Sequence, residues 1–127
     1  MGKLVADAVL DAALQYLEDN VDWMSVCEGA PTTYEHAHSN KGTATGKVLA
    51  HVTPAFTGPA DDTSGRKTTL DEKAAITVDI SGDADHIALC KTGTSVLLYV
   101  TTCTQQALVA ANTVTIPAWK ISIADPT

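Results

Sequence analysis

The sequence predicts a mainly β fold, an antiparallel sandwich or jelly-roll-like domain with one N-terminal amphipathic helix. Three observations predict it. Apolar residues keep a helical period only to about residue 20 and an alternating period after it. About eight short strand-like runs follow, separated by Gly, Pro, Asn and Asp signals. No helical pattern recurs between those runs, which argues against a parallel α/β sheet.

At 127 residues the chain fits one domain, 1–127, with a helix in 1–21 and a sandwich in 22–127. Hydrophobic residues are 45% of the chain and charged residues 18%, enough apolar material for a core.

The helix is expected over residues 3–20. Leu10, Ala13, Leu14, Leu17 and Val21 recur at steps of three and four. Lys3, Asp7, Asp11, Gln15 and Glu18 form the opposite stripe, and Asp7 and Asp11 sit toward the positive end of the helix dipole. Its apolar face must lie on a sheet or on a second subunit. Strands are then expected at 23–27, 47–53, 66–70 and 74–80, with loops at 28–45 and 54–64. Asp71 and Glu72 read as the turn joining the third and fourth of these strands.

The clearest hairpin pairs 85–91 with 95–102 across Thr92-Gly93. In that register Cys90 faces Ser95, and Cys103 falls in a Thr-rich turn after the strand. Residues 107–112 read as a connection, with last strands at 113–116 and 119–124. In the final strand Trp119, Ile121 and Ile123 point one way and Lys120 and Ser122 the other.

Composition removes several functions. Fifteen acidic residues against eight basic ones give a net charge of −7, which argues against a duplex nucleic-acid binder. Aromatics are only 5%, too few for a base-stacking platform. Apolar runs such as residues 96–100 do not exceed five residues, far short of the ~20 a membrane-spanning helix needs. Asp7 and Asp11 interrupt what a secretory signal would keep apolar, so synthesis in a cytoplasm without a cleaved address is expected.

Each chemical motif has a plainer reading beside it. Glu35, His36 and His38 share a loop, and two His at i and i+2 of an extended chain would share a face and could hold a metal. Surface loops often carry His with no ligand, and solvated or interface polar residues are the favoured reading. His51 and His86 fall in strands and read as hydrogen-bonded, partly buried residues. Residues 41–47 imitate a phosphate loop, but only three residues separate the glycines and Val48 follows Lys47. Asp79, Ser81, Asp83 and Asp85 alternate like calcium ligands, yet Ala84 and Cys90 stand where an EF-hand needs Gly and Glu. Asp61, Asp62 and Arg66 read as turn chemistry. No nucleophile elbow is present. The expectation is therefore a non-enzyme with no cofactor and no metal.

Three cysteines cannot all pair within one chain. Cys27, Cys90 and Cys103 read as small apolar residues in a reducing compartment, with Cys103 the candidate for an intermolecular disulfide.

Two blocks of the sequence resemble small structural proteins of tailed bacteriophages and prophages. One is the N-terminal helix running into residues 24–34. The other is residues 82–89 followed by 97–104, continuing through 112–119 to 121–126. With residues 64–67 they cover more than half the chain. The resemblance implies a virion-associated β-sandwich of decoration, collar or fibre type, made in the host cytoplasm and found in the virion. It implies a structural subunit on the capsid or neck, partnered by its own copies, usually as a trimer, and by other virion proteins. The helix face with Leu10, Leu14 and Leu17, or Trp119 with its neighbours, could make subunit contacts, and core packing is the favoured role for either. A receptor- or glycan-binding fibre tip is the second reading, with Tyr34 and Phe56 as the aromatics its loops offer.

Overall fold

A computed structural model describes residues 4–126. The helix α1 spans Asp7–Asn20, and Lys3 of its predicted polar stripe lies outside the described residues. Ala6 gives α1 no side-chain cap, so Asp7 in the first turn is the local support for its start. Val21 turns extended and closes the helix with its N–H on the Leu17 carbonyl.

Period-two alternation then produces nine strands in antiparallel sheets among the described residues. They are β1 (Trp23–Cys27), β2 (Val48–Val52), β3 (Phe56–Asp61), β4 (Arg66–Leu70), β5 (Lys73–Thr77), β6 (Gly82–Lys91), β7 (Val96–Leu108), β8 (Thr113–Ile116) and β9 (Trp119–Ile123). One sheet has the order β2-β1-β6-β7, a second β3-β4-β9, and β5 pairs with β8. The fold is mainly β and sandwich-like, as the sequence predicts.

The four-stranded sheet is covered on both faces. On β1, Met24 and Val26 point to the inner face, where Leu49, Leu70, Leu89, Ile121 and α1's Leu14 form the main core. Cys27 points outward with Ala88 and Cys90 of β6 and Val48 of β2. That outer layer is roofed by a helical turn, α2 (Tyr34–His38), whose Ala37 is fully buried.

Four expectations are corrected. Residues 28–45 are not all loop, because Thr33 caps α2 by accepting the His36 N–H at 3.2 Å. Residues 54–64 contain β3. It stands at the edge of its sheet, and its register slips between Thr57 and Ala60, so Gly58 and Pro59 fit there at little cost. β4 and β5 are not neighbours. Asp71 ends β4 by donating its N–H to the Ala55 carbonyl and accepting from the Thr57 hydroxyl, and the chain crosses to a different sheet.

The fourth is the hairpin register. The turn is a single 3-10 turn at Thr92–Thr94 followed by Ser95 at φ 55°, so Cys90 faces Leu97 rather than Ser95. β6 and β7 both run beyond their predicted ends, and Cys103 lies inside β7 rather than in a turn after it.

Candidate functional site

β7 and β9 each stand at the end of their sheet, and β8 pairs only with β5. Between them the sandwich has an open seam. β7 is bent there. Ala84 faces Gln106 and His86 faces Thr102, so Asp85 alone stands opposite residues 103–105. A bulge of this kind re-aims side chains and interrupts pairing. It turns Cys103 into the seam.

The seam has two lobes, of about 230 Å³ and 320 Å³. Both are bounded by Ile87, Cys103, Ile116 and Pro117, and no charged residue among those described lines either. Val26 and Ile87, core residues at 4% and 8% exposure, reach its floor. Trp119 closes one end near Tyr99, ring centroids 6.1 Å apart, and its indole N–H has no partner among the described residues.

The three thiols divide between two environments. Cys27 and Cys90 are fully buried, and desolvation pushes them up to about 11 and about 12. Cys103 is half-buried, and desolvation raises it too. All three are free thiols, and Cys103 is the one with an opening beside it. It remains the candidate for contact with another molecule.

Two of the four residues offered for subunit contact are core residues. Leu10 and Leu14, at 7% and 0% exposure, pack in the chain's own core, so the core role holds for them. Leu17 and Trp119 are half-buried against that core. α1 presents instead Val9 and Tyr16, 63% and 54% exposed, which sequence reading missed. They fall outside the strong Leu10–Leu14–Leu17 stripe. The helix is held by Arg66, whose Nε and Nη2 grip the Asp11 carboxylate at 2.7 and 3.1 Å while Nη1 reaches Asp61. Asp62 is clasped by Lys120 at 2.7 Å and by the Ser122 hydroxyl at 2.6 Å. These bonds hold its carboxyl below the ordinary range. The Asp-Asp-Arg motif is thus a structural clamp.

The histidines separate. His36 and His38 sit on α2, where a step of two residues turns about 200° and puts the rings on different faces. His36 Nδ1 meets the Thr32 hydroxyl at 3.2 Å. His38 enters a four-ring stack in the order Tyr34, His38, Trp23, His51, with centroid steps of 4.9, 4.3 and 4.0 Å. The Trp23 indole N–H and the Ser25 hydroxyl both donate to the Ala37 carbonyl at 2.8 Å. The stack therefore pins α2 to the sheet. His86 is hydrogen-bonded to Asp85 at 2.7 Å, whereas His51 is exposed and stacks on Trp23.

The acidic alternation is likewise divided. Asp85 accepts from Gly29 N–H, Ser81 from Ala110 N–H, and Asp79 lies 3.6 Å from His51. Among the described residues no three His, Cys, Asp or Glu side chains are grouped to hold a metal. No described helix is long and apolar enough to cross a membrane. Of the aromatics offered for a glycan, Tyr34 is in the ring stack and Phe56 packs against the core.

No family model matches the chain, and no curated protein and no solved structure matches it.

Proposed function

We propose that the chain is a non-enzymatic structural subunit of a tailed-phage virion, assembling on the capsid or neck with copies of itself and with other virion proteins. The observation that supports the assembly part is the open seam. The reading is supported by core residues Val26 and Ile87 facing a trough with no charged lining among the described residues, a surface suited to cover by another polypeptide. The virion part rests on the resemblance of residues 24–34, 82–89, 97–104 and 112–126. Those segments build β1, most of β6 and β7, and β8 and β9, the strands that frame the seam.

The fibre-tip reading ranks second, because Tyr34 and Phe56 are both engaged within the chain. The test is mass spectrometry of purified particles released by a strain carrying the gene. A constant copy number relative to the major capsid protein supports the reading. Absence of the chain from particles overturns it.

A further inference from the structure

We propose that the seam accepts residues 4–6 of a second copy, so that copies join head to tail by exchanging an extended apolar segment. The proposal rests on the assembly reading and specifies its contact.

The first observation is the shape and chemistry of the acceptor. Among the described residues β7 and β9 each leave one edge unpaired, and the trough lies between β7 and β8–β9. Edge amides and carbonyls are best satisfied by another extended backbone, and the pockets beside them by its alternate side chains. Each lobe is several times the ~30 Å³ that one water occupies, which is room for apolar side chains. Among the described residues nothing charged lines the trough, so a charged segment would lose its hydration there without a partner.

The second observation is the donor. Leu4 is 92% exposed, the most exposed large apolar residue among those described. Residues 4–6 precede α1 outside any helix or strand, and Ala6 is extended at φ −66° and ψ 142°. The segment Leu-Val-Ala is apolar and uncharged, and paired as a strand it would present Leu4 and Ala6 on one side and Val5 on the other. One chain thus carries a largely apolar trough, edged by Thr and Gln side chains, and an apolar segment that is half-buried at Val5 and exposed at Leu4 and Ala6.

The third observation is charge. At −7 the copies repel one another on average. Contact between two uncharged elements is where that repulsion opposes association least.

Donor and acceptor are different surfaces, so the contact is heterologous. It closes into a ring, such as a trimer, if its rotation permits and otherwise extends into a filament.

The test is light scattering on the full chain over a concentration series, in reductant so that no disulfide contributes. Three proteins are compared: the wild type, Leu4→Asp to disable the donor, and Thr104→Arg to block the trough. Leu4 and Thr104 are exposed, and circular dichroism checks that both variants fold; Ala118→Arg replaces Thr104→Arg if that variant does not. The expected result is an oligomeric wild type, monomeric single variants, and a 1:1 pair with nothing larger when the two variants are mixed. That pair forms because the blocked copy still donates and the Leu4→Asp copy still accepts.

A monomeric wild type, an oligomer that survives Leu4→Asp, or a mixture that stays monomeric overturns the exchange. None of these bears on whether the chain is found in particles, so the two readings fail separately.

Discussion

The two faces of the four-stranded sheet are finished differently. The outer face is sealed. Cys27, Ala88 and Cys90 lie under α2, which the Trp23 and Ser25 hydrogen bonds and the four-ring stack hold down. The inner face has a larger core but an incomplete cover, because β7 bulges away from β6 before β8 and β9 can meet it. A small apolar layer can be closed by one helical turn, whereas a larger core can stay open where two sheet edges fail to join. Closure depends on edges and caps as much as on buried area.

Thiol chemistry should show the largest contrast. Cys103 is expected to react with a neutral disulfide reagent before either other thiol, while Cys27 and Cys90 wait for the outer layer to open. If that opening is global unfolding, the folded chain protects them at least about a thousandfold. Mass spectrometry of partly modified chains reads the order directly. Early modification of Cys27 or Cys90 would mean that α2 does not seal its face.

Side-chain truncation sharpens the comparison. Leu89 is fully buried in the inner core away from the seam, and Leu89→Ala should cost about 2–5 kcal/mol in urea unfolding. Val114 is half-buried and lines the seam, so Val114→Ala should cost about 1 kcal/mol, because its methyl groups already face open space. Equal losses would show that the seam is packed in solution. Trp23→Phe should fall between the two, at about 1–2 kcal/mol. It keeps a ring in the stack but leaves the Ala37 carbonyl with only the Ser25 hydroxyl.

These same features separate what the sequence shows from what it hides. Strands with regular alternation, such as β9 with Trp119, Ile121 and Ile123, are readable because one face is buried and the other wet. β3 is hidden by Gly58 and Pro59, whose tolerance depends on an edge position that only tertiary structure supplies. α2 had a signal in Thr33, three residues before His36, but five residues carry too little periodicity to compete with the Gly and Pro around them. The seam is not legible at all. It arises from a bulge that adds residues to β7 opposite Asp85, and alternation alone gives no count of residues across a pair. The sequence singles out Cys103 as part of a Thr-rich turn after a strand, whereas it lies inside β7, and its place beside the opening comes from that same bulge.

The smallest expected effect concerns the clamps that hold the second sheet and α1, and it appears only on acidification. Asp62 has its carboxyl lowered first by the Lys120 and Ser122 hydrogen bonds, and Asp22 has its own lowered by the Thr92 hydroxyl and N–H. A carboxylate held below its unfolded value of about 3.9 stabilises the fold fully above that pH and loses the contribution as pH falls through the folded value. Thermal unfolding should therefore be flat near neutrality and fall below about pH 4. Asp62→Asn should lower the melting temperature at pH 7 and narrow the gap to wild type at pH 3, because acid removes from the wild type what the substitution has already removed. The loss is modest, since the Lys120 ammonium is half in water and its attraction to Asp62 is screened there. A gap that stays constant from pH 7 to pH 3 would mean that Asp62 contributes through its hydrogen-bonded shape, which Asn only partly copies, and that its charge adds little to holding β9 against the β3–β4 turn.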